Sequence, residues 1–510
     1  MARRGRERTR AAPTDSHPLS GFREIELPYA PMAVLPEEQI ETLHHASLRI
    51  LSTIGMKVLC PEARRVLRQA GAALEDEIVR LDPAMVMEHV AQAPSEFLLE
   101  ARNPQRSVRL GRRYTVFSSV GGPAFVSDLD RGRRAGSYAE MCDFIRLVQS
   151  LDILHQEGGG PFEALDLPQD RRHLDLYHAQ ATLTDKNWQP SGLGRERAED
   201  ALEMAAIAFG IAREALVERV VLTCVINTNS PLTLDLAMAE GLMAMAAHGQ
   251  AVVVTPFTLS GAMSPVTLAG ALAQQNAEAL FGITLTQCVR PGAPVVYGGF
   301  TTNVDMRTGS PAFGTPEYTQ AAQITGQLAR RYGVPFRSSN ATGSNACDAQ
   351  AAYESQMSIW GALTGHAHLL NHAAGWLGGG LTASFEKLIL DAEMLQMMAH
   401  YMTPPKIDAA SIGLEAIAAV GHGGHFFGTP HTLERYQTAF YTPLVSDWSN
   451  FETWTEAGAQ SATERANAIW KRRLADYEKP PIDPGIEEAL GAYVSKRKLE
   501  ITRGIGVPRA

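Results

Sequence analysis

From Ser338 to Asp348 the chain reads SSNATGSNACD, which sets Ser338, Ser339, Asn340, Thr342, Ser344, Asn345 and Asp348 within eleven positions. That many uncharged hydrogen-bonding groups, closed by one carboxylate, either solvates a surface loop or holds a polar ligand in a dry cavity. Similar groups recur at intervals: His155, Gln156 and Glu157; Lys186, Asn187 and Trp188; Asn227, Thr228 and Asn229; Thr255, Pro256 and Phe257; Tyr297, Gly298 and Phe300; His368, Asn371, His372 and Trp376. The set is rich in amides, hydroxyls, imidazoles and aromatic rings and poor in arginine. It contains no obvious carboxylate pair for glycoside chemistry. It also lacks a glycine-rich loop followed by Lys-Ser/Thr for phosphates.

Several of these groups have two readings. Lys186 is either a Schiff-base nucleophile at a strand end or an ordinary partner of Asp185. His366, His368 and His372 include an i, i+2 pair that could hold a metal, but without a carboxylate partner they read better as hydrogen-bonded core histidines; no metal site is expected. GHGGHFFG, from Gly421 to Gly428, is either a flexible loop lining a site or a plain helix connection. The aromatics Trp188, Phe257, Tyr297, Phe300, Trp376, Phe426 and Phe427 are either core or a cage for a quaternary ammonium, each ring face worth ~0.5–2 kcal/mol.

The elements that would position these groups follow a rhythm. From Ser137 onward, apolar runs of four to six residues alternate with helical patterns of ten to twenty, ending near HAHLLNHAAGWLGGG. Seven such units, with Tyr114 to Ser119 as an eighth strand, predict a parallel sheet covered on both faces. The expected fold is α/β, a (β/α)₈ TIM-type barrel over residues 111–402, whose strand ends carry the chemistry. An open doubly wound sheet is the alternative, but Glu157-Gly158-Gly159-Gly160-Pro161 lacks its usual nucleotide fingerprint. Residues 21–110 read as an N-terminal helical cap region, from units such as PEEQIETLHHASLRILSTIG and DPAMVMEHVAQAP. Residues 403–510 read as a C-terminal helical region packed on the barrel.

The chain has 510 residues, 45% hydrophobic and 20% charged, with a net charge of −9. This excludes a general nucleic-acid role, which needs clustered Lys and Arg. The exception is the arginine-rich segment 1–20, read as a disordered tail. No run reaches the ~20 apolar residues of a membrane span. Five singly scattered cysteines fit a reduced, cytoplasmic setting.

TDKNWQPSG, APVVYGGF, SSNATGSNACDAQAAYESQMSIWGAL, GHGGHFFGTPHTLERY and YTPLVSDWSNFETW occur in an order that resembles the trimethylamine methyltransferase family. The resemblance spans about residues 30–500. It implies a barrel that passes a methyl group from a methylamine to the Co(I) of a corrinoid (cobalamin) held by a separate small protein. This chain would then bind no cofactor tightly itself. In the archaeal enzymes of the family the 340s stretch carries pyrrolysine; that position falls on Asn345. Members lacking pyrrolysine resemble glycine betaine methyltransferase and use quaternary amines.

Taken with that resemblance, Asn345 and Asp348 are the candidate catalytic positions, with helix-capping as the competing role of Asp348. Phe257, Tyr297 and Phe426 or Phe427 are expected to face an ammonium. His155, His372 and His425 would bind a carboxylate or neighbouring dipoles, and Asn340 would line or brace the cavity. Glycine betaine heads the candidate donors, with trimethylamine, proline betaine and carnitine as alternatives and a non-catalytic betaine-binding protein as a rival. Helical flanks on a barrel make a homo-oligomer an expectation too.

Overall fold

The strand–helix alternation closes on itself. The computed structural model describes residues 21–507, so the expected 1–20 tail lies outside the described residues. Eight strands form the ring: β1 Tyr114–Phe117, β2 Gln156–Glu157, β3 Asn187–Trp188, β4 Thr223–Ile226, β5 Ala251–Val254, β6 Val295–Gly298, β7 Phe336–Ser339 and β8 Leu369–Asn371. β4 to β8 pair in parallel in sequence order. β8 then pairs with β1, Leu369 opposite Val116. Bridges Ser118 to Gln156 and Trp188 to Leu222, with the β2–β3 pair, complete the circle. A closed ring has no edge, so the open-sheet alternative is excluded.

Each strand leads into a helix: α1 Tyr138–Ser150, α2 Arg172–Leu183, α3 Arg195–Phe209, α4 Leu236–Ala247, α5 Leu268–Val289, α6 Pro316–Tyr332, α7 Ala349–Thr364 and α8 Phe385–Tyr401. Local signals fix their ends. α6 begins at Thr315, whose hydroxyl accepts from Tyr318 N–H, followed by Pro316, and it ends at Gly333 with φ +67°. The same logic starts α1, where Ser137 and Glu140 cap each other reciprocally.

Strand parity decides what enters the lumen. Val116, Val253, Val296 and Leu369 point inward near the base, where they pack on Phe97, Leu99, Val108 and Leu110. Those last four belong to a hairpin, Glu96–Leu99 and Val108–Gly111, that plugs the N-terminal end of the barrel. Burying each such side chain contributes about 1.5–3 kcal/mol. At the opposite end the chain runs on into short outer strands. Phe257–Ser260 lies parallel to Phe300–Val304. Thr382–Ser384 lies parallel to Phe125–Asp128. These raise walls above the mouth.

The flanks differ from the sequence expectation in two respects. Residues 21–110 are mixed rather than wholly helical: helices Glu37–Arg49, Pro61–Gln69 and Pro83–Val90 are interleaved with strands Met56–Val58, Ala73–Glu75 and Ile78–Arg80. All three of these helices pack on α5, which explains why that helix is buried almost all round. In the C-terminal region, Ala462–Ala475 packs on α8 and α1, and Pro484–Thr502 on α2 and α3. Residues 405–460, between α8 and Ala462, form short helices that stay largely exposed.

Candidate functional site

At the C-terminal mouth of the barrel a neutral polar floor meets an aromatic wall. The floor starts with an amide ladder: Gln156 Nε2 donates to Thr223 Oγ1 (2.9 Å), and Gln189 Nε2 to Gln156 Oε1 (3.0 Å) and Asn371 Oδ1 (3.4 Å). Above it, hydrogen-bonding capacity is left over. Ser118 Oγ, Thr255 Oγ1, Ser339 Oγ, Asn340 Oδ1 and His372 Nδ1 are buried atoms without a partner, as are Arg337 Nε and Nη1. Such atoms are uncommon in folded proteins, and these lie on β7 and just past the ends of β1, β5, β7 and β8.

Arg337 is the unexpected member, because strand ends poor in arginine were anticipated. It lies on β7 opposite Gly298 of β6 and Leu369 of β8, so its side chain enters the lumen. Gly298 keeps that space open; a Cβ there would meet Thr255 Oγ1 at 2.1 Å. The Arg337 guanidinium sits 5.2 Å from the centre of the Phe300 ring. It is 2% exposed. Burial pushes its pKa down to about 10, which still leaves it charged at neutral pH.

The wall is built from the outer strands and the loops after β6 and β8. Phe300 lies 5.2 Å from both Phe257 and Phe313, and 5.9 Å edge-on from Trp376. His372 packs 4.5 Å from Trp376. Its backbone holds φ +52°, a region that suits few non-glycine residues. Burial, reinforced by Arg337, holds the His372 imidazole well below its ordinary pKa, so it is neutral.

Two loops are knitted to hold this arrangement. Trp376 Nε1 donates to Thr342 O (3.2 Å), and Asn340 Nδ2 to Ala373 O (2.9 Å). The Glu354 carboxylate accepts from Thr342 Oγ1, Gly343 N and Ser344 N. Beneath, Lys387 and Asp391 form a buried pair; Lys387 also donates to Ser355, and Asp391 accepts from Gly375 N–H (2.9 Å).

The expected site residues separate into two groups. Phe257, His372 and Asn340 come together at the mouth. The others do not. Tyr297 faces away from the lumen: its hydroxyl donates to Asn276 Oδ1 (2.8 Å), accepts from Gln275 Nε2 (3.2 Å), and its ring stacks on Tyr332. His155 sits at the foot of β2, where its Nδ1 accepts from Phe117 N–H and its Nε2 meets Arg23 O, each at 2.9 Å. The first bond fixes Nε2 as the protonated nitrogen, and burial pushes the pKa down to about 3. Asn345 and Asp348 are exposed on the rim. Asp348 caps α7, accepting from Ala351 N–H (3.0 Å), which lowers its carboxyl pKa. His425, Phe426 and Phe427 lie in the exposed 405–460 segment, Phe427 being 83% exposed.

Lys186 does not pair with Asp185, which is taken by Arg106, Asn103 and Gln149. Lys186 Nζ donates to Val148 O and Leu151 O at the end of α1, away from the mouth. His368 repeats the His155 arrangement, accepting from Phe336 N–H. No group of three metal-ligating side chains occurs among the described residues. A groove of about 490 Å³ near Glu100, Arg102, Phe209 and Ile482 lies at the plugged end, and its Arg219 is tied to Glu100 at 2.6 Å.

Sequence reasoning missed Arg337, Phe313, Ser118 and Gln189. The signal for Arg337 was a charged residue inside the short run VPFRSS, where period-two alternation forces a choice between lumen and helix layer.

Comparison with known proteins bears on what this site handles. A family described as trimethylamine methyltransferase (MTTB) matches residues 2–502. The chain is 37% identical over 469 residues to a glycine betaine methyltransferase of Desulfitobacterium hafniense, covering 92% of this chain and 98% of that protein. It is 27% identical over 482 residues to a trimethylamine methyltransferase of the same species, covering 92% and 95%. Among solved structures, the monomethylamine methyltransferase of Methanosarcina barkeri superposes with a TM-score of 0.50 at 11% identity, covering 88% of this chain and 89% of that one. That likeness concerns the fold alone. No helix among the described residues is long and apolar enough to cross a membrane.

Proposed function

Because the chain belongs to the trimethylamine methyltransferase family, a family of methyltransferases, we propose that it moves a methyl group from a quaternary amine of the glycine betaine type to the Co(I) of a corrinoid on a separate protein. The observation that carries this reading is the wall of Phe257, Phe300, Phe313 and Trp376 beside a neutral His372. Ring faces attract a quaternary ammonium without hydrogen bonds, which that group cannot make.

The chemistry suits such a site. A quaternary nitrogen already bears the positive charge, so the leaving group is a neutral tertiary amine. The electron pair of Co(I) forms the new bond to the methyl carbon, and the C–N pair returns to nitrogen. No proton moves, and no general acid is needed. The protein's part is to aim the methyl group outward and exclude water. Trimethylamine itself would have to expel a far poorer leaving group. Asn345, the position onto which the family resemblance puts pyrrolysine, is exposed on the rim, which would suit contact with a docked corrinoid protein more than contact with the amine.

The fit to a corrinoid follows from access. The far end of the barrel is plugged, so a large planar group can reach the lumen only through the mouth, beside Asn227 and Asn345, both exposed. The test is direct: purified protein, cob(I)alamin and a panel of glycine betaine, proline betaine, carnitine and trimethylamine, followed spectroscopically. Methylcobalamin is expected with a betaine and not with trimethylamine. Tight betaine binding with no transfer to any corrinoid would instead favour a binding protein.

A further inference from the structure

Buried arginine donors are filled to different degrees in this chain: Arg102 and Arg197 each leave Nε over, Arg337 leaves Nε and Nη1, and Arg497 leaves none. Arg497, also buried, spends all three guanidinium nitrogens: Nε on Asp200 (2.7 Å), Nη2 on Glu196 (2.9 Å) and Gly506 O, Nη1 on Ile505 O. Arg337 is more deeply buried, yet its Nε and Nη1 have no partner. No carboxylate pairs with it among the described residues. Acids on the loops and helices around the mouth are committed elsewhere. Asp391 is bound to Lys387 and Gly375 N–H, Glu354 to the 342–344 backbone, and Glu278 to Thr228, Ser230 and Leu232 N–H.

An uncompensated buried cation is costly, and a cation beside an ammonium pocket repels any ligand of the same sign. Both problems disappear if the ligand brings its own anion. Nε and Nη1 flank Nη2, for which no hydrogen bond occurs among the described residues, so either edge of the guanidinium, Nε with Nη2 or Nη1 with Nη2, matches the two oxygens of a carboxylate. Its position against Phe300, a ring of the proposed ammonium wall, sets the anion site immediately beside the cation site.

We propose that Arg337 reads the carboxylate of the methyl donor, so that the pocket selects a zwitterion whose carboxylate lies a short spacer from its quaternary nitrogen and rejects methylated amines that lack it. This rests on the functional reading above and narrows it. The orphaned hydroxyls of Thr255 and of Ser339, two residues further along β7, provide further donors.

Titration calorimetry on the purified chain tests the inference without the corrinoid. Glycine betaine and choline share the trimethylammonium head, but only the first has a carboxylate. Wild-type protein is expected to bind glycine betaine about thirtyfold or more tightly than choline, the scale expected for losing one partner of a buried charge pair. Arg337→Gln should weaken glycine betaine by a similar factor and leave choline unchanged or improved. Arg337→Lys, which keeps the charge but not the fork, should fall between. Equal binding of the two ligands by wild type overturns the proposal, as does unchanged betaine affinity in a folded Arg337→Gln. The wild-type comparison stands even if that variant fails to fold. Separately, choline serving as well as glycine betaine in methyl transfer would sink the role of Arg337 while leaving the methyltransferase reading intact; no transfer from any quaternary amine would do the reverse.

Discussion

His155 and His368 each accept a backbone N–H from a neighbouring barrel strand, and burial keeps both neutral, with pKa values near 3 and 4. His44, on a covering helix, is similarly lowered to about 4, again mainly by burial. In the unfolded chain these rings would protonate near pH 6.5. Their contribution to stability is therefore complete above that pH and is lost as pH falls from 6.5 toward 4 and below. We expect the thermal unfolding midpoint to drop by roughly 5 °C or more between pH 7.5 and pH 5; a flat profile would contradict the neutral assignment. Two substitutions separate wall from scaffold. Phe257→Ala should weaken betaine binding about tenfold with little loss of stability, since Phe257 is only partly buried. Tyr297→Phe should cost about 1 kcal/mol of stability through its bond to Asn276 and leave betaine affinity unaltered.

At the scale of elements, the buried Lys387–Asp391 pair beneath the 373–376 loop is the most exposed to mutation. Lys387→Met leaves Asp391 charged, buried and bound only to Gly375 N–H and the Asn340 region, and should destabilise by about 3–5 kcal/mol, read from the urea midpoint. The elements themselves were largely legible in the sequence. Strands such as AVVV and helices such as PEYTQAAQITGQLARRY carry their own periods and caps, and the barrel follows from their alternation. The site was legible only where a side chain sits after a strand's last residue, as with Phe257 and His372. Within a strand, one residue of parity separates lumen from helix layer, and that parity is set by the neighbouring strand. Tyr297 and Arg337 were both misjudged for this reason. GHGGHFFG stayed open between a site loop and a helix connection because glycine and aromatic residues suit either; it lies in the exposed 405–460 segment.

The whole molecule carries an apolar surface that its own fold does not cover. Within 405–460, Ile407, Leu414, Phe427, Phe440, Trp448 and Phe451 are each at least 69% exposed. The transient corrinoid partner of the proposed function would not cover such a surface permanently, whereas a second copy of this chain would. Interfaces of that permanence are the large, apolar ones. Sedimentation analysis should therefore find an oligomer at micromolar protein; a stable, soluble monomer would refute it.

The hairpin Glu96–Leu99 and Val108–Gly111 has a kinetic consequence. Under the proposed function, with the base of the barrel stoppered, the donor, the cobalt and the demethylated amine would share one doorway. The donor would have to load before the corrinoid protein docks, and the spent amine could not leave until it undocks. Turnover should then be slowed by excess corrinoid protein when the donor is scarce, a traffic order imposed by four apolar side chains at the far end of the barrel.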